Sequence, residues 1–127
     1  MAGRKTNSAA EFDRDCFVLP HLLWVILIPP LEYIEFMAGF APYDIPWYFG
    51  PLATFGEFMG TQHPVLSFRL CMFTIILHST EAVISLILCR NRGFSVGATI
   101  KWILSAYVYG IFSVLKLLPL KPPTKTV

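Results

Sequence analysis

Residues 65–88 read VLSFRLCMFTIILHSTEAVISLIL. At about 1.5 Å per residue, a helix of this length crosses the roughly 30 Å hydrocarbon core of a bilayer. Only Arg69, His78 and Glu81 interrupt its apolar character. Its polar and small side chains keep one register, with Cys71, Thr74, His78, Glu81 and Ser85 separated by three, four, three and four positions. That spacing draws a seam along a single helix face. A polar seam on an apolar helix faces neighbouring helices or a wet cavity, not lipid. This stretch alone sets the class: an all-α integral membrane protein.

The rest of the chain agrees. Of its 127 residues, 55% are hydrophobic and only 14% are charged, and the mean hydropathy is +0.60. Soluble domains carry about 25% charged residues, so a free-standing cytosolic enzyme and a disordered tail are both excluded. A net charge of +2 leaves no footprint for nucleic acid. Two further spans are expected, at 17–37 and 98–118. Pro29 and Pro30 should kink the first, and Pro119 stops the last. The expected fold is a bundle of three transmembrane helices (residues 16–120) between a solvated leader (1–15) and a polar tail (121–127). The first connection, Phe40–Pro64, interleaves proline and glycine with Tyr43, Trp47 and Tyr48. It reads as an aromatic interfacial loop, with one short amphipathic helix over Leu52–Met59.

Three spans put the leader and the second connection on one side. Arg4, Lys5, Arg14, Arg90 and Arg92 then oppose Lys121 and Lys125 of the tail. The leader is therefore expected on the cytoplasmic side, or on the matrix side of a mitochondrial membrane. The acids Glu11, Asp13 and Asp15 argue against a mitochondrial presequence. An endomembrane, the endoplasmic reticulum, is preferred to the mitochondrial inner membrane.

Ionisable groups inside a span are expensive and mark sites by default. Counting depth from each span's midpoint places Glu32, Glu35, Arg69 and Lys116 toward the outer side, and Glu81 and Lys101 toward the inner side. The balance of signs predicts interhelical ion pairs, Glu32 and Glu35 with Arg69 and Lys116, and Glu81 with Lys101. Ala106-x-x-x-Gly110 with Ser113 forms a small-residue face able to receive the polar seam. His78 and Glu81 are then the candidate acid–base couple, since an imidazole titrates near neutrality and a carboxylate orients it. A metal reading would add His21, Glu32 or Cys71, but His-x-x-Glu supplies only two ligands and no CxxC or HExxH motif is present. No metal and no cofactor are expected. Cys71 and Cys89 lie too far apart along one helix to bridge. Cys16 and Cys89, beside basic residues at the inner boundary, are candidate lipidation sites.

The stretch from His78 to Arg90, followed by Asn-Arg-Gly93, joins Asp44-Ile-Pro, Gly50-Pro-Leu, Phe55 and His63 in a recognisable order. Together they resemble the transmembrane protein 254 family over roughly residues 17–118. The resemblance implies a multi-pass membrane protein without an established activity, and makes His63, His78, Glu81 and Cys89 family features of unassigned role. Glu32 and Glu35 are not part of that pattern.

The first functional reading is a non-enzymatic accessory, assembly or scaffold subunit. It would sit in the lipid bilayer and pack against a membrane-protein partner or a second copy of itself. The alternative is a lipid- or sterol-modifying enzyme that moves a proton with His78 and Glu81, as an isomerase does. A component of a proton or ion pathway is the third. An open cavity at His78 and Glu81, as against a closed contact with Lys101, separates the chemical reading from the structural one.

Overall fold

The computed structural model describes residues 12–122. Five α-helices follow in order: α1 (Leu22–Phe40), α2 (Pro51–Gln62), α3 (Pro64–Arg92), α4 (Val96–Tyr109) and α5 (Ile111–Leu117). Two 3-10 turns, Pro42–Asp44 and Trp47–Phe49, join α1 to α2. Their Tyr43, Trp47 and Tyr48 side chains are exposed, Trp47 by 87%.

Local chemistry sets these boundaries. The ring of His21 accepts the amide of Leu23 and caps α1. Proline occupies the first position of α2 and of α3, where its missing N–H costs nothing. Helix α3 ends at Gly93, whose φ of +75° closes a Schellman-type turn in which the Phe94 amide donates to the Cys89 carbonyl. The Ser95 hydroxyl accepts the Ala98 amide and starts α4.

Helices α1 and α3 are long and apolar enough to cross a membrane, yet only 11% and 22% of their most apolar windows are buried. Leucine, isoleucine and phenylalanine side chains stand exposed along both. An apolar surface of that extent belongs in lipid. Helix α1 runs through Pro29 and Pro30 without a break, although Val25 and Ile26 lose their helical amide partners there.

The helices approach closely through small residues. The buried Ala53, Gly56 and Gly60 form one stripe of α2, which lies against Ile34 and Ala38 of α1. Gly39 brings α1 onto α3, where a Cβ would stand 3.2 Å from Cys71 Cβ. The helix expected at Leu52–Met59 is thus longer, and it packs into the bundle.

The third span departs from expectation. Gly110 (φ +59°, ψ −131°) breaks it, and α5 folds back along α4. Ser113 Oγ donates to Ser105 Oγ at 2.8 Å. Leu117 then packs with Cys89, Phe94, Ala98 and Trp102 in the main buried cluster. One Arg92 Nη1 donates to the Leu117, Leu118 and Leu120 carbonyls at 2.8, 3.0 and 3.2 Å. Residues 98–118 are therefore a hairpin and not a crossing. Leu120 lies at the same end as Arg92 instead of the opposite one.

The first span also shifts. Residues 17–20 are not helical, and α1 begins at Leu22. The end of the leader packs on the hairpin: Phe12 meets Phe94 edge-on, Phe17 meets Trp102, and Trp102 Nε1 donates to the Cys16 carbonyl at 2.9 Å. Residues 12–16 are thus tied to the core, while positions 1–11 lie outside the described residues.

Candidate functional site

The seam of α3 is buried where it meets its neighbours. Cys71, Glu81 and Ser85 are buried, Thr74 and His78 are half-buried, and Ser67 and Cys89 extend the line at either end. Helix α1 faces the outer part of this seam, and the α4–α5 hairpin faces the inner part. Trp24 of α1 stacks on Phe112 of α5 at 4.3 Å, joining the two walls.

His78 occupies their junction. Its Nδ1 lies 2.8 Å from the Tyr107 carbonyl and 3.1 Å from Glu32 Oε1. A carbonyl only accepts, so Nδ1 carries the proton and donates to Tyr107. Glu32 Oε1 makes an electrostatic contact there without a hydrogen bond, and it is buried. Nε2 points the other way. A Cβ placed on Gly110 would stand 2.8 Å from His78 Nε2 and 2.6 Å from Glu81 Oε2. The ring nitrogen and the carboxylate thus converge on one point at the apex of the hairpin. Glu81 Oε2 is buried without a hydrogen-bond partner. One turn farther out, Thr74 Oγ1 donates to Glu35 Oε1 at 2.9 Å.

Two cavities flank His78. One, of about 210 Å³, lies among Glu32, Glu35, Cys71, Thr74 and Tyr107. The other, of about 230 Å³, lies among Glu32, Leu77, Glu81, Tyr109 and Phe112. No lysine or arginine lines either.

The expected ion pairs do not form among the described residues; instead Glu32 lies against the His78 ring, a contact that becomes an ion pair when His78 is protonated. Lys101 is two turns below Glu81 in level, since Trp102 beside it packs at Cys89, and it borders Phe17 and Leu19. Reversal at Gly110 carries Lys116 inward, next to Leu117 and away from the outer acids. Arg69 faces outward beside His63 and Val65. Of the two candidate lipidation sites, Cys89 is fully buried and unavailable to an acyl donor, while Cys16 is half-buried. His63 ends α2 and lies edge-on to Phe58, remote from His78 in the fold. Ala106, Gly110 and Ser113 are all buried at the hairpin, with Ala106 packed on Ala82 of α3.

The family model described as transmembrane protein 254 matches residues 22–120. The chain belongs to the transmembrane protein 254 family. The matched stretch opens on the first residue of α1 and closes on Leu120, whose carbonyl Arg92 holds. The family region of this transmembrane protein 254 member therefore takes in the whole hairpin as well as both long helices. An uncharacterized membrane protein of Schizosaccharomyces pombe is 32% identical over 54 residues, which cover 42% of this chain and 47% of that protein. The chain thus matches about half the length of that relative. No solved structure matches it.

Glu32 is the candidate-site residue that sequence reasoning placed at another depth, as an ion-pair partner of Arg69 or Lys116. With the first span set at 17–37 it fell to the outer side; in the observed α1 it stands at mid-helix, level with His78. The usable signal was pairwise: Glu32 and Glu35 on one helix answer His78 and Thr74 on an antiparallel one.

Proposed function

We propose that the chain carries a membrane-embedded acid–base site that exchanges a proton with the polar group of a lipid-soluble molecule. The placing of His78 and Glu81 side by side against Gly110, on the wall of the same cavity, carries this reading. Tyr107 holds the Nδ1 proton, so Nε2 is the basic nitrogen. Glu32 beside Nδ1 stabilises the imidazolium that forms when Nε2 takes a proton. Glu81, in its protonated form, gives its proton to a second position of the substrate, and the proton held on Nε2 then passes to the Glu81 carboxylate to restore both groups, the pattern of a double-bond or ketone–enol shift. Gly110, lacking a side chain, lets both groups lie against the apex of the hairpin, and the open space beside them is the cavity that His78 and Glu81 both line. The chemistry fits a lipid- or sterol-modifying enzyme of the isomerase type. To test it, the cellular lipid profile is compared with and without a His78→Ala/Glu81→Gln variant that is expressed and membrane-inserted normally. An identical profile rejects the acid–base role.

A second reading, an accessory or assembly subunit, draws on the broad exposed apolar faces of α1 and α3. Its partner is another membrane protein or a second copy. Cross-linking in native membranes that recovers only a solitary monomer rejects it. A proton or ion pathway draws on the same seam but needs a continuous pore.

A further inference from the structure

A third cavity, of about 260 Å³, lies between α1, α2 and α3 and differs in character from the two beside His78. Leu31, Ala38, Phe55, Met59 and Leu70 make it almost wholly apolar, and Glu35 and Ser67 are its polar lining residues. Glu35 also lines the first His78 cavity, so the apolar space and the acid–base site share a wall. Two hydroxyls of α3, Ser67 and Ser85, are buried without a hydrogen-bond partner, and of these Ser67 lines this cavity. Ser79 and Thr80 donate back to the carbonyls of Ile75 and Ile76, at 2.7 and 2.9 Å, as helical hydroxyls do. Ser67 Oγ is buried and has no partner, on a residue only 4% exposed. An unpartnered hydroxyl on a cavity wall is a hydrogen-bonding position open to a molecule that enters the cavity.

The charges restrict what enters. Glu32, Glu35 and Glu81 border these cavities, and no lysine or arginine does. In the cavity between α1, α2 and α3 a phosphate or a fatty-acid carboxylate would meet the Glu35 carboxyl group and no cation among the described residues. A hydroxyl or an amine finds acceptors in Glu35 and in Ser67. The volume falls below the roughly 300–1,000 Å³ of pockets that enclose a whole small ligand, so part of an apolar chain is held and the rest trails into lipid.

We propose that the cavity between α1, α2 and α3 binds the hydrocarbon chain of a lipid whose polar end is a hydrogen-bond donor, an alcohol or an amine, presented to Ser67 and Glu35. The assignment rests on the acid–base reading only for what happens next at His78; binding in the cavity stands apart from it.

The test uses the full chain in nanodiscs with a photoreactive long-chain alcohol, and the labelled peptides are mapped. Saturable labelling is expected in α2, around Phe55 and Met59. Unlabelled alcohol and the matching amine should both compete, and the matching fatty acid about tenfold less well. Ser67→Ala, a small change that leaves packing intact, should weaken labelling several-fold. Leu70→Trp, which fills the cavity from its exposed side, should abolish it. Unsaturable labelling, equal competition by the fatty acid, or labelling indifferent to both variants overturns the proposal. Competition by the alcohol and not by the amine assigns a neutral ligand, still within the proposal; failure of unlabelled alcohol to compete overturns it. The two readings fail separately. Saturable labelling with an unchanged lipid profile in His78→Ala/Glu81→Gln sinks only the acid–base role. A changed profile without saturable labelling sinks only the chain-binding cavity.

Discussion

At the scale of single residues, Gly110 carries two constraints at once. Its φ of +59° with ψ of −131° favours glycine, and its missing Cβ is the space between His78 and Glu81. Gly110→Ala should cost about 1–3 kcal/mol through backbone strain alone, and more through the contact with the Glu81 carboxylate. Thermal unfolding in detergent measures the sum. Adding Glu81→Ala should recover the part due to that carboxylate and leave the His78 contact and the strain; full recovery would contradict the backbone assignment. The cysteines offer a second check. Cys89 and Cys71 are buried, so a water-soluble alkylating reagent should modify Cys16 first, and Cys89 only on unfolding. Rapid modification of Cys89 in the folded protein would mean that the cluster around Trp102 opens. The seam residues were legible because their spacing on α3 is a property of one helix. Glu32 was not, because its partner depends on how far α1 slides past α3. A few residues of error in a helix start moves every depth along it.

Helices differ in how much of themselves they display in a sequence. Helices α1 and α3 announce themselves through length and hydropathy, and the turn at Gly93 through Asn-Arg-Gly before a buried phenylalanine. The α4–α5 hairpin does not. Hydropathy averages over a window and carries no direction, so an apolar run that doubles back at one glycine scores like one that continues. The hidden information was in Arg92, a cation at the end of α3 whose guanidinium needs carbonyls. It finds three of them at the end of α5. Arg92→Gln should therefore release α5. Removing hydrogen bonds from a charged donor costs about 1.5–3 kcal/mol, read as faster amide exchange over Val114–Leu118 while α3 stays protected. Uniform loss of protection in both helices would show that the clamp holds the whole bundle and not the hairpin. Trp102→Phe, which deletes the donor to the Cys16 carbonyl, should loosen residues 12–17 by about 1 kcal/mol in the same measurement.

For the molecule as a whole, the hairpin changes the arithmetic of orientation. Two helices qualify as crossings, and Arg14, Arg90, Arg92 and the Leu120–Lys121 junction gather at one end. The connection between α1 and α2, residues 41–50, holds no lysine or arginine. Among the described residues, Arg14, Arg90, Arg92 and Lys121, which were expected at two opposite ends, thus fall on one side, which is predicted to be cytoplasmic or matrix-facing. Epitope tags placed at the two termini should become accessible together on selective permeabilisation, and tags on opposite sides would contradict the hairpin.

Helix α4 has 14 residues, a rise of about 21 Å, against a hydrocarbon core of about 30 Å. A hairpin entering from one face therefore turns inside the membrane, and the Gly110 point has bilayer, not water, as its reservoir. On the proposed function, occupancy at His78 is then governed by the mole fraction of the substrate among the lipids. Diluting protein and vesicles together with buffer leaves it unchanged, whereas adding inert lipid lowers it.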